Sequence, residues 1–141
     1  MLSAFGEHLI GSEIEQAVHE AAGKQSIDIV EFTVGPVLNG GSGGRGGHVY
    51  LVEARGEPDA AQLAADIDET LNRTNDDYAA HRGGGTGMDA PVLRLMPPGA
   101  FERWMEMKGK AGGQHKVPRV IADASKYATM LEEFEEIAGG V

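Results

Sequence analysis

Few residues in this chain are of a type and setting that could do chemistry, and most of them fall in Gly112-Gly113-Gln114-His115-Lys116-Val117-Pro118-Arg119. Two glycines ahead of a lysine give a backbone with wide conformational freedom, able to carry a cation some distance. Pro118 then fixes its own φ and biases Val117 toward an extended form. The chemical sense of such a loop is delivery of a lysine to an anion held elsewhere. The competing reading is an ordinary surface loop with a solvated Lys116. Taken alone the stretch favours that second reading, because surface lysines are common.

The other candidates are weaker. Ser3, Ser12, Ser26, Ser42 and Ser125 sit at turns, caps or loop tips, where serine is expected anyway. His8, His19, His48, His81 and His115 are scattered and show no metal-ligand spacing. Asp77 and His81 are i,i+4 neighbours on a helical stretch, which permits a metal pair, but an ordinary surface pair is the simpler account. Trp104 reads as core rather than as a stacking platform. Gly40 to Gly47 contains a literal GxGxxG at Gly41, Gly43 and Gly46. A dinucleotide site needs a strand before that motif and a helix after it, and here a strand follows. No Gly-Lys-Ser or Gly-Lys-Thr completes a phosphate loop, and Val49 to Arg55 lacks the lysine that a kinase-type glycine hairpin wants. The stretch is expected to be a poorly ordered hairpin tip and not a nucleotide site.

Composition bounds the rest. The 141 residues suit one domain, and the net charge of -10 argues against nucleic acid or an anionic membrane as the main partner. With no cysteine, disulfide frameworks and thiolate zinc sites are excluded. No apolar run approaches membrane-spanning length, and the N-terminus lacks a signal peptide's basic and apolar regions. A soluble cytoplasmic protein is the expectation.

The elements that must position the lysine loop follow from periodicity. Ser12 and Glu15 read as a capping box, and Ile14, Ala17, Val18 and Ala21 continue a helix to about Gly23. Ile27 to Val34 and His48 to Ala54 read as strands. Pro58 opens a long helix with Ala60, Leu63, Ala64, Ile67 and Leu71 as its buried stripe, continuing through Tyr78 to about His81. Val92 to Met96 is a third strand. Phe101, Trp104 and Met105 mark a short helix, and Arg119-Val120-Ile121 a brief edge strand. Asp123 caps a last helix whose buried face is Tyr127, Met130, Leu131, Phe134 and Ile137. Its other face carries Glu132, Glu133, Glu135 and Glu136, read as solvated charge. The order predicts an α+β fold, with an antiparallel or mixed sheet of three to four strands packed with helices. The chain divides into residues 1–10 as a leading segment, 11–122 as the α+β core and 123–141 as the C-terminal helix, in one domain.

Three stretches together resemble the C-terminal lobe of the Gretchen Hagen-type (auxin-responsive) acyl-acid amido synthetases, which are acyl-adenylate-forming enzymes with a large N-terminal lobe and a small mobile C-terminal one. Gly46-Gly47-His48-Val49-Tyr50-Leu51-Val52-Glu53 is similar to the family's Gly-His-Tyr-Val strand ending in glutamate. Gly87 through Phe101 is similar to its pattern of a glycine, a strand bearing arginine, then Gly-x-Phe opening a helix. Gly113-Gln114-His115-Lys116-Val117-Pro118-Arg119 resembles the family's Gly-Gln-Tyr-Lys-Thr-Pro-Arg, with His115 for tyrosine and Val117 for threonine. Phe5-Gly6-Glu7 also looks like the segment just after the hinge between lobes, and the Leu71 to Tyr78 region has a bacterial rather than a plant character. The similarity runs from about Phe5 to Ile121.

The resemblance implies a function in two steps. An acyl acid and ATP give an acyl-adenylate and pyrophosphate, and an amino acid's amine then attacks the adenylate. It implies Lys116 as the catalytic cation. Gln114 would orient the loop and Arg119 would anchor it or contact the nucleotide, both counted as cofactor-binding. His48 would face the substrate cleft in one orientation. ATP with magnesium would be needed in the complete enzyme and would not be bound by this chain alone. The partners implied are an N-terminal adenylation lobe, in the same or a companion chain, together with carboxylic acid and amino acid substrates. That lobe would hold the phosphate loop and the acid pocket, so the isolated chain is expected to be inactive. Two other readings stay open at this point. One is a stand-alone α+β binding or regulatory module without catalysis. The other is the small lobe of an acyl-CoA ligase, although its usual Ser-Gly-Lys near the C-terminus is absent.

Overall fold

The computed structural model describes residues 1–39, 45–83, 87–109 and 116–139. The elements run α1 (Gly11–Gln25), β1 (Asp28–Leu38), β2 (Gly46–Arg55), α2 (Ala60–Thr74), α3 (Asp76–Arg82), β3 (Val92–Leu95), α4 (Ala100–Met107) and α5 (Ala124–Gly139). The three strands form one sheet in the order β1-β2-β3, antiparallel between β1 and β2 and parallel between β2 and β3. The expected α+β architecture with a mixed sheet is therefore present.

Strand alternation divides the core into two layers. Phe32 and Val34 of β1, Tyr50 and Val52 of β2 and Leu93 of β3 face α1, α2 and α3, where Ile14, Val18, Leu63, Ile67, Leu71 and Tyr78 close over them. Val49 and Leu51 of β2 point the other way, toward Phe101 and Trp104 of α4 and Tyr127, Met130, Phe134 and Ile137 of α5. The central strand is thus apolar on both faces, which is why it reads as a near-continuous hydrophobic run. Trp104 lies in the second layer as expected, stacked on Phe134 at 5.7 Å between ring centroids.

Several boundaries differ from the sequence reading. The helix-capping carboxylate at the start of α1 is Glu13, which accepts the backbone N–H of Ile10 at 3.1 Å. Glu15 is thereby left for another partner. Strand β1 runs past Val34 through Gly35 and Pro36 to Leu38. The α2 stripe carries Leu63, Ala64, Ile67 and Leu71 as read, but the helix stops at Thr74 and a separate helix begins at Asp76. Glu133 is not simply solvated, since it accepts from the Trp104 indole N–H at 3.2 Å and from Lys108 Nζ at 2.8 Å. The glycine tip splits: Gly46 and Gly47 belong to β2, while residues 40–44 lie outside the described residues. The expected edge strand is a single bridge, in which Val120 pairs in parallel with Val34.

Asp123 caps α5 as anticipated, its Oδ1 accepting the backbone N–H groups of Ser125 and Lys126 at 2.9 and 3.0 Å. The start of α4 is capped differently. The buried carboxylate of Glu53, at the end of β2, accepts the N–H of Gly99 at 3.0 Å and of Phe101 at 3.2 Å. A negative group among the free amides of a helix N-terminus is electrostatically favoured. This contact links the two halves of the motif pair, the strand glutamate and the Gly-x-Phe helix start.

Candidate functional site

Gln114 and His115 lie outside the described residues, and the account of the loop begins at Lys116. Lys116 is exposed and makes no hydrogen bond or ion pair among the described residues. The three residues after it are fastened. Val117 is buried in the layer formed with α4 and α5, at 7% exposure. The carbonyl of Pro118 accepts from Thr33 Oγ1 at 2.7 Å, and Thr33 is itself fully buried. The carbonyl of Arg119 accepts from the N–H of Val34 at 2.8 Å, and the N–H of Ile121 donates to the carbonyl of Val34 at 2.9 Å. Residues 117–121 therefore behave as a short additional edge of the sheet, and Lys116 directly precedes it.

Arg119 is held from two sides. Its Nε donates to Glu31 Oε1 at 2.9 Å, and an Nη donates to Glu15 Oε1 on α1. The guanidinium carbon lies over the Phe32 ring, 5.4 Å from its centroid. Partial burial works against the charge, but the two carboxylates outweigh it and hold the guanidinium's pKa above its ordinary value. Glu15 and Glu31 have no periodic or motif signal that marks them as partners of Arg119. They lie 104 and 88 residues away in sequence and are joined to it only by the fold.

His48, expected to face the cleft, lies inside the core at 2% exposure. Its Nε2 is 2.6 Å from Oε2 of Glu7, which is fully buried. The imidazole sits between the rings of Phe5 and Tyr78, at 6.0 and 6.2 Å. It also contributes to the lining of a pocket with Val37, Asn39, Asp89 and Arg94. Glu7 is the residue that sequence reasoning undervalued. Desolvation pushes its pKa up, yet the bonds from His48 and from the Phe5 N–H, at 2.9 Å, prevail and leave it lowered. An ionised carboxylate can only accept, so the imidazole Nε2–H is the donor.

His8 Nδ1 meets Asp77 Oδ2 at 3.0 Å on the surface, and His81 Nδ1 lies 2.8 Å from the carbonyl of Asp77. Among the described residues no group of three or more His, Asp or Glu is placed to hold a metal ion. No helix among them is long and apolar enough to cross a membrane.

Residues 12–125 match the family model of the GH3 family C-terminal domain. No curated protein matches the sequence. Among solved structures, the chain is similar to a GH3.15 acyl acid amido synthetase, with a TM-score of 0.69 at 19% identity over 88% of this chain and 23% of that one. It is also similar to AtGH3.15 acyl acid amido synthetase in complex with 2,4-DB, with a TM-score of 0.72 at 18% identity over 96% of this chain and 25% of that one. At these identities the likeness is one of fold. The chain spans about a quarter of the length of those solved chains.

Proposed function

Since the chain belongs to the GH3 family, of which it carries the C-terminal domain, we propose that it acts as the small lobe of an ATP-dependent acyl-acid amido synthetase. Lys116 is the cation it brings to the reacting carboxylate and α-phosphate, and the N-terminal adenylation lobe is its partner. The observation that carries this reading is the contrast along 116–121: an exposed lysine, unpaired among the described residues, directly ahead of a segment fixed by side-chain and backbone bonds. A lysine with its own carboxylate partner would be a poor candidate for delivery. Lys116 has none among the described residues.

The chemistry asks for such a group. A carboxylate and a triphosphate repel one another as they approach. A cation about 4 Å away at an effective dielectric near 20 offsets on the order of 4 kcal/mol before desolvation is subtracted. Lysine suits this task because its ammonium is a compact point charge on a flexible stem. ATP arrives with magnesium, which offsets phosphate charge. Among the described residues of this lobe no group of three or more His, Asp or Glu is placed to hold it. The amine of an amino acid then displaces AMP to give the amide. The cytoplasm, where ATP and amino acids are both available, is the compartment this reading implies.

The test separates the two half-reactions in the complete two-lobed protein. Lys116→Ala should lower carboxylate-dependent pyrophosphate exchange by roughly 10²–10³, the scale for losing one positioned charge-stabilising donor. Aminolysis of a supplied acyl-adenylate should fall much less. Equal losses in both steps would mean that Lys116 serves docking of the lobes, and the catalytic assignment would be dropped. The chain without its partner lobe should show no pyrophosphate exchange with any carboxylic acid.

A further inference from the structure

We infer that Arg119 is a positioning residue: held between Glu15 of α1 and Glu31 of β1, it fixes the base of the 116–119 segment and so sets where Lys116 projects. This rests on the reading of Lys116 as the delivered cation, and of the two roles that the resemblance leaves open for Arg119, loop anchor and nucleotide contact, it takes the anchor.

Geometry gives the first reason. Lys116 is three residues from Arg119, and an extended chain covers at most ~3.6 Å per residue, so a fixed Arg119 keeps the Lys116 backbone within roughly 10 Å of one point. Between the two, Val117 is buried and the carbonyl of Pro118 is bonded to Thr33. Pro118 also has a ring-locked φ. The freedom left to the ammonium is then mainly that of Lys116 itself. If the Arg119 side chain were released, the segment would rest on the bridge of Val120 to Val34, the Thr33 hydrogen bond to the Pro118 carbonyl and the seat of Val117.

Electrostatics gives the second. The guanidinium already donates to two carboxylates, and its carbon lies over the Phe32 ring. Two acids around one arginine leave the cluster with a net negative charge. A phosphate approaching it would meet repulsion and would have to compete for donors already engaged. The planar fork suits arginine to this place, because its separate Nε and Nη donors reach two carboxylates on different elements in a fixed geometry.

The experiment uses Glu15→Gln, Glu31→Gln, the double variant and Arg119→Lys. In the two-lobed protein the readouts are kcat and the KM for ATP in pyrophosphate exchange. In every variant the rate of tryptic cleavage at the Lys116–Val117 bond is followed by mass spectrometry. That bond can enter a protease only after Val117 leaves its buried seat, so its cleavage reports local opening. The double variant and Arg119→Lys should each cleave roughly three- to tenfold faster, the range that one or two partly exposed ion pairs can supply. Their kcat should fall by a similar factor, with the KM for ATP unchanged and the global unfolding midpoint hardly moved. A raised KM for ATP in Arg119→Lys, with wild-type behaviour in both glutamine variants, would make Arg119 a nucleotide ligand and overturn the proposal. Unchanged cleavage in the double variant would overturn it too. If instead Lys116→Ala leaves adenylation intact, the assignment of Lys116 fails, while cleavage still reports separately whether the clamp holds the segment.

Discussion

Gly35 shows how one missing side chain shapes this protein. A Cβ added there would lie 2.4 Å from Cγ of Tyr127. The ring cannot swing away cheaply, because its hydroxyl donates to the carbonyl of Val49 at 2.6 Å and the residue is fully buried. Burial also pushes that phenol's pKa up, so it remains a donor throughout the ordinary pH range. Gly35→Ala should therefore destabilise the fold by about 2–3 kcal/mol through overpacking. Tyr127→Phe, which removes only the hydroxyl, should cost about 1 kcal/mol. Urea unfolding of the two variants checks this, and the order of the two effects is the test. The sequence reading ended β1 at Val34, and the Gly35-Pro36 that follows is ordinarily a turn signal. The strand continues because β1 is an edge strand, where a residue without an N–H is tolerated, and because the glycine is required by an aromatic ring 92 positions away in the chain, from Gly35 to Tyr127. A local pattern cannot announce such a contact.

Elements with a strong internal period were legible, and those fixed by distant partners were not. The cores of α1, α2, α4 and α5 fall where the apolar spacing puts them. The break between α2 and α3 does not, since the apolar period carries on from Leu71 to Tyr78 across it. Asn75 makes the break by serving both helices. Its backbone N–H donates to the carbonyl of Leu71 at 3.0 Å, and its side-chain oxygen accepts the N–H of Tyr78 at 2.8 Å. Its amide nitrogen donates to the carbonyl of His8 at 2.8 Å and to Glu13. Asn75→Ala should cost about 1–2 kcal/mol, the value of a lost helix cap. Asn75→Asp should not restore the full stability, because it keeps the cap but sets a second carboxylate against Glu13. Full recovery in the aspartate variant would show that the cap alone matters and that the link to residues 8–13 is idle. The same limit applied to the candidate site. The lysine segment could be read from its glycines and proline, whereas Glu15 was absorbed into an apparent capping box and Glu31 carried no signal at all.

On the scale of the whole molecule, residues 1–9 form a clasp over the first core layer. Leu2 and Leu9 pair with each other, both fully buried, and Gly6 turns the chain between them with a φ of 92°. The clasp is pinned by a buried charge. Glu7 has its pKa lowered in the fold, with desolvation opposed and outweighed by the bonds from His48 and Phe5. The sign follows directly. A carboxylate with a depressed folded pKa adds stability that is fully present above its unfolded pKa and is lost as pH falls through the folded value. Asp68 behaves in the same direction, because its bonds from Arg82 and Tyr78 also prevail over desolvation. Acid instability should therefore have at least two sources, and Glu7→Gln should remove only one. At pH 7 that variant should be less stable by on the order of 3 kcal/mol, the scale for breaking a buried pair. As pH drops below about 4.5, the ordinary value for a glutamate, the gap between wild type and Glu7→Gln should narrow, because the unfolded wild-type chain takes up a proton there that the folded Glu7 takes up only at lower pH. Urea titrations of both proteins from neutral pH down through that range provide the measurement. A gap that stays constant across the range would mean that Glu7 holds His48 as a neutral acid at pH 7, and that the clasp is fastened by a plain hydrogen bond rather than by a charge.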